Sequence, residues 1–101
     1  MTDEKRIAGY LGIAAKARLC VSGEFATEKA IKSGEAHLVI LAGDASDGTK
    51  KKFRDMCAWR GIPVIETADR DTLGRAIGRG FRASAALTDE KMAEAVIKVL
   101  S

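Results

Sequence analysis

Six residues, HLVILA at positions 37 to 42, constrain this fold more than any other stretch. After the histidine every side chain is apolar, so the run lacks the alternation of a strand with one wet face. A short unbroken apolar run reads as a strand covered on both sides. Such cover takes helices above and below, and the flanking sequence supplies them. Asp3 to Arg18 sets Ile7, Leu11, Ala14 and Ala15 at helical spacing, and Leu19-Cys20-Val21 follows as a short extended piece. Ser22 or Gly23 caps a second helix that runs to about Ser33, and Gly34 falls where a helix end takes a left-handed residue. Ser46 and Asp47 open a third helix reaching Arg60, with Phe53, Met56 and Cys57 inward and Gly61 beyond it. IPVIE, residues 62 to 66, is a strand with its proline near the start, where a missing N–H is tolerable. Asp69 or Asp71 starts a short fourth helix with Leu73, Ala76 and Ile77 inward. Gly78 and Gly80 bracket a turn before an alanine-rich strand, Arg82 to Leu87. Thr88 caps a last helix whose Met92, Ala93, Val96, Ile97 and Leu100 share one face. The order is α-β-α-β-α-β-α-β-α, an α/β chain with helices on both faces of a parallel or mixed sheet.

The 101 residues suit one domain, spanning 1–101. With 47% apolar and 31% charged residues, the chain matches neither a disordered nor a membrane-embedded class. No apolar run approaches the roughly 20 residues needed to cross a bilayer. The amino-terminal stretch is amphipathic and begins with acids, unlike a signal peptide. A cytosolic protein that does not meet a membrane is expected. Cys20 and Cys57, the two cysteines, read as buried free thiols, and zinc lacks ligands. The net charge of +3 is a mild lean toward anionic partners.

Catalytic chemistry finds little support. His37, the single histidine, has no acid beside it and reads as structural. Asp44 and Asp47 follow a strand end, where α/β sheets bind ligands, but helix capping is the ordinary use of such residues. LGRAIGRG, residues 73 to 80, has the glycine spacing of a dinucleotide loop in the wrong place, late and beside a short helix. Close packing and turning explain these glycines better. Lys50, Lys51 and Lys52 spread over about 200° of a helix and form a solvated face. Arg75, Arg79 and Arg82 surround the glycine turn, and Lys29 and Lys32 lie on the second helix. The start of that helix offers unpaired N–H groups and a positive dipole end, and Gly23 admits a close backbone approach. Glu24 opposes an anion there.

The stretches LGIAAKARLCVSGEFATEKAIKSGEAHLVILAGDAS, IPVIE and LGRAIGRG, taken together and in order, resemble the kink-turn RNA-binding ribosomal-protein superfamily of L7Ae and L30e, nearest its small bacterial YlxQ-type branch. The likeness covers nearly the whole chain. It implies a three-layer α/β/α sandwich with a four-stranded mixed sheet. It also implies that the start of the second helix and the loop after LGRAIG grip RNA jointly. Carried over by position, Gly23 is the glycine of that helix start, Lys29 the lysine aimed at RNA, and Gly78 to Ala83 the loop. One departure stands out. Family members place an Asn-Glu or similar polar pair, which reads tandem sheared G·A pairs, where this chain has Phe25 and Ala26. Phe25 either stacks on an unpaired base or packs into the domain, and packing is the expectation. In the loop, Arg79, Phe81 and Arg82 stand where apolar residues are usual.

The expectation is a non-catalytic protein that binds structured RNA, kink-turn-like or ribosomal, as a monomer and without a cofactor or metal. Its surface would comprise Gly23, Glu24, Phe25, Lys29, Lys32, Arg75, Arg79 and Arg82, with the N–H groups of residues 23 to 25 meeting phosphate. A protein-interaction module on the same fold is the alternative, and a Mg²⁺-dependent site near Asp44 a third.

Overall fold

The sheet order accounts for the character of HLVILA. In the computed structural model, which describes residues 3–100, the chain runs α1 (Asp3–Lys16), β1 (Cys20–Ser22), α2 (Glu24–Ser33), β2 (Leu38–Leu41), α3 (Asp47–Arg60), β3 (Val64–Glu66), α4 (Arg70–Ala76), β4 (Ser84–Leu87) and α5 (Glu90–Val99). The strands form one mixed sheet in the order β1-β4-β2-β3; β4 is antiparallel to both β1 and β2, and β2 is parallel to β3. The inner strands β2 and β4 are buried along their whole length. Leu38, Ile40 and Ala42 turn to one face, against Ile7 and Leu11 of α1, Leu73 of α4 and Val96 of α5. Val39 and Leu41 turn to the other, against Ile31 of α2 and Phe53 and Cys57 of α3. The result is a three-layer α/β/α sandwich, with α1, α4 and α5 on one side of the sheet and α2 and α3 on the other. This is the expected architecture, and the antiparallel β4 makes the sheet mixed.

Local chemistry sets most helix ends as the residue types imply. Ser46 Oγ accepts the Thr49 N–H at 3.1 Å, and Asp69 Oδ1 accepts that of Thr72 at 2.7 Å. Gly34 (φ 81°) and Gly61 (φ 70°) close α2 and α3 in the left-handed region. Two details of α5 differ from expectation. Its cap is Asp89, whose Oδ2 accepts the Met92 N–H at 2.9 Å, and not Thr88. The Thr88 N–H is instead bonded to Leu19 O at 2.9 Å, which ties the strand end to the segment before β1. Val99 rather than Leu100 completes the buried stripe, because the helix ends at Val99 and Leu100 is its C-cap, half exposed beyond the last turn. Asp89→Ala should therefore lower stability by about 1 kcal/mol in a thermal melt, and Thr88→Ala by much less.

Cys57 is buried and Cys20, expected to be so, is only half-buried; both are free. Burial pushes each thiol up to about 11, so both are protonated at neutral pH. Among the described residues, no three His, Cys, Asp or Glu side chains are grouped to hold a metal ion. No helix among them is long and apolar enough to cross a membrane.

Candidate functional site

α2 begins without a side-chain cap. Its N-cap is Gly23, at φ 91° and ψ 160°, a backbone state that side-chain-bearing residues avoid. The Gly23 carbonyl accepts the Thr27 N–H at 3.0 Å, and its own N–H donates to Ser84 O at 2.9 Å. That second bond fastens the helix start to the first residue of β4. It also removes Gly23 from the expected set of anion-facing donors. Among the described residues, the N–H groups of Glu24, Phe25 and Ala26 have no acceptor. They are the orphan donors of the first turn. Beneath that turn the buried hydroxyls of Thr27 and Ser84 also lack a partner.

The segment feeding β4 brings cations to the same place. Arg82 Nε donates to Ser22 Oγ at 3.1 Å, and Arg82 Nη1 donates to the Phe81 carbonyl at 2.9 Å. A Cβ added to Gly23 would lie 3.9 Å from Arg82 Nε, so the guanidinium sits directly beside the helix start. Arg79 and Arg82 together border a cleft of about 250 Å³ whose other walls include Ser22, Ala26 and Ile77. α4 holds this loop in place. The Arg79 N–H donates to Gly74 O at 2.7 Å, and the Arg82 N–H donates to Arg70 O at 3.1 Å. Two stretches some 60 residues apart in sequence thus share one cationic edge.

The other candidate residues divide. Lys29 and Lys32 are exposed on α2 and line a shallow groove with Phe25 and Glu28. Lys32 Nζ is 4.0 Å from Glu28, and Lys29 has no ion-pair partner among the described residues. Phe25 is not packed into the domain as expected: it is 79% exposed. The reason is helical phase. The buried stripe of α2 is Thr27, Ala30 and Ile31, and position 25 lies about 200° from position 27. Arg75 does not join Arg82. It pairs with Asp71 at 3.0 Å and lines a separate groove between α1 and α4 that includes Gly9 and Gly12.

Three other expectations resolve differently. The lysine triplet does spread around α3, but each member has a partner. Lys50 reaches Glu66 at 3.1 Å, Lys51 reaches Asp55 at 2.6 Å, and Lys52 reaches Glu24 at 3.2 Å and Glu28 at 3.0 Å. Asp44 is a cap, though for α4: its Oδ1 accepts the Arg70 N–H at 2.8 Å, and its Oδ2 lies 3.5 Å from Arg70 Nε. Because Lys52 reaches it, Glu24 is not a lone carboxylate at the start of α2. Sequence reasoning also left Phe81 out of the candidate surface, although it is 71% exposed within the loop. Its place between two arginines was the available signal.

Comparison with known proteins bears on this geometry. Residues 5–97 match the sequence profile of the ribosomal protein L7Ae/L30e/S12e/Gadd45 family. The chain belongs to this family. It is 41% identical over 90 residues to the RNA-binding protein YlxQ of Bacillus subtilis (strain 168), a match spanning 89% of this chain and 90% of that one. The RNA-binding protein YlxQ of Enterococcus faecium is 29% identical over 77 residues, spanning 76% and 75%. Among solved structures, a protein of unknown function from Bacillus halodurans superposes with a TM-score of 0.90 at 37% identity, covering 94% of this chain and 96% of its own. The Giardia lamblia 15.5kD RNA binding protein shares the fold, with a TM-score of 0.82 at 20% identity, covering 99% and 87%. Membership of the L7Ae/L30e/S12e/Gadd45 family thus agrees with the sandwich and the mixed sheet described above.

Proposed function

We propose that this member of the family is a non-catalytic RNA-binding protein that grips structured RNA, kink-turn-like or ribosomal, with the start of α2 and the Gly78–Ala83 loop. The observation carrying this reading is the contact between the Arg82 guanidinium and the Gly23 helix start. It sets a fixed cation beside three unclaimed N–H groups at the positive end of a helix dipole, a combination suited to phosphate. Arg82 is held by two hydrogen bonds, through Nε and Nη1, and its Nη2 has no partner among the described residues and can meet a phosphate oxygen. Arg79, Lys29 and Lys32 neutralise neighbouring phosphates. Phe25 and Phe81 are exposed and offer ring faces to unpaired bases. Phe25 and Ala26 cannot hydrogen-bond the edges of G·A pairs, so recognition rests on shape and backbone charge. The curated YlxQ relatives, named as RNA-binding proteins, support the same ligand class. The protein acts as a monomer in the cytoplasm and needs no cofactor.

The test is Arg79→Ala/Arg82→Ala, titrated with a kink-turn hairpin and with an unrelated stem-loop. Affinity for both should fall by about 1–3 kcal/mol, to a similar degree, because phosphate contacts carry little sequence information. Unchanged affinity removes the loop from the site. The second reading is a protein-interaction module, favoured by the exposure of Phe25 and of Trp59, which is 84% exposed on α3. Partner capture that survives nuclease treatment would favour it.

A further inference from the structure

Glu24 and Glu28 raise an objection to any anion at the start of α2. Glu24 is the first residue of the helix and Glu28 lies one turn on. A carboxylate there occupies the positive pole of the dipole and repels phosphate. The neighbouring helix answers the objection. Lys52 of α3 places its Nζ 3.2 Å from Glu24 Oε1 and 3.0 Å from Glu28 Oε1. One ammonium thus holds both carboxylates toward α3. The arginine cleft lies at a different flank of the helix start, bordered by β1 and Ala26. The hydrogen bond from Lys52 lowers the Glu28 carboxyl below its ordinary range, and the bonds to Glu28 and Glu24 raise the lysine, so both partners of this pair stay charged at neutral pH. Neither neighbouring lysine can substitute, because Lys50 is engaged with Glu66 and Lys51 with Asp55. Exposed pairs of this kind add little to stability. Their effect falls on the local field.

We propose that Lys52 is a positioning residue for the anion site at the start of α2: by drawing Glu24 and Glu28 toward α3 it clears carboxylate charge from the path of an RNA phosphate. This rests on the RNA-binding reading above. It predicts that Lys52 matters through the two glutamates and not as a phosphate ligand. A double-mutant cycle separates the two roles.

Wild type, Lys52→Met, Glu24→Gln/Glu28→Gln and the triple variant are titrated with a fluorescently labelled kink-turn hairpin at low salt, each first checked for an unchanged thermal melt. Lys52→Met should weaken binding about fivefold in the wild-type background and by less than about twofold once the glutamates are neutral. Lys52→Arg should retain most of the affinity, since a guanidinium can bridge the same carboxylates. Glu24→Gln/Glu28→Gln alone should bind at least as tightly as wild type, a comparison that holds even if Lys52→Met fails to fold. An equal loss in both backgrounds makes Lys52 a direct contact and overturns the proposal. So does no loss in either, or weaker binding by the double glutamine variant. Absence of RNA binding by wild type is a distinct result: it defeats the RNA-binding reading itself, and this inference with it.

Discussion

Gly74→Ala should destabilise the protein by about 3 kcal/mol and lower its midpoint by upward of about 12 °C in a thermal melt. Taken alone, α4 would gain from the change, since alanine is about 1 kcal/mol better than glycine inside a helix. The surroundings reverse that sign. A Cβ at Gly74 would lie 1.8 Å from the carbonyl oxygen of Gly80, 2.6 Å from its carbon and 3.3 Å from Arg79 O. These are backbone atoms, so no rotamer change relieves the overlap. The Gly78–Ala83 loop must lift off the helix instead. Lifting it threatens the Arg79 N–H bond to Gly74 O and the Arg82 N–H bond to Arg70 O. Folded molecules of the variant should thus also bind RNA more weakly, because Arg79 and Arg82 are displaced from the start of α2. Gly9→Ala is the matched control. Position 9 is a helical glycine with open space where its Cβ would go, so that change should raise the midpoint. An unaltered midpoint in Gly74→Ala would mean that the loop is not packed on α4.

The difference between these two glycines shows which information is local. From sequence, LGRAIGRG offered three glycines with no means of ranking them, beyond the expectation that packing and turning explained them. Only the folded chain sets Gly74 against Gly80. Local physics was legible elsewhere. HLVILA read correctly as a doubly covered strand, and Gly34, Gly61 and Ser46 marked helix ends by chemistry acting within a few residues. Failures came where one residue of phase decides the outcome, or where partners lie far apart. Asp89 caps α5 although Thr88 is an equally acceptable residue type, and the chain path past Leu19 decides between them. Phe25 has the composition of a core residue and the helical phase of a surface one. The Lys52 bridge spans 28 positions to Glu24, so helical spacing within α3 could not reveal it. The meeting of Arg82 with Ser22 spans 60 and had no signal in composition or periodicity. Only the family resemblance placed those two segments together.

RNA affinity should fall roughly 50- to 150-fold as monovalent salt rises from about 50 to about 200 mM, a log–log slope of roughly −2.8 to −3.6. The slope follows from the number of cations that the site can bring to phosphates. Lys29, Arg79, Arg82 and Lys32, whose 4.0 Å separation from Glu28 is a loose contact beside the 3.0 Å contact of Lys52 with the same carboxylate, make about four, and each releases close to one condensed counterion. Arg75 is left out of this number because its guanidinium pairs with Asp71 and lines another groove. Lys52 is left out because its ammonium is engaged by two carboxylates. The prediction therefore tests the membership of the site as well as its chemistry. Arg79→Ala/Arg82→Ala should make the slope shallower by about 1.5 to 2, whereas Arg75→Ala should leave it in place. Phe25→Ala should behave in a third way. A lost stacking contact lowers affinity by a similar factor at every salt concentration, so the line shifts without tilting. If the slope of wild type is near zero, apolar contact dominates the surface, and the exposed phenylalanines then argue for a protein partner. If it stays steep after both arginines are removed, the phosphates lie along Lys29 and Lys32, and the helix start is no longer the centre of the interface.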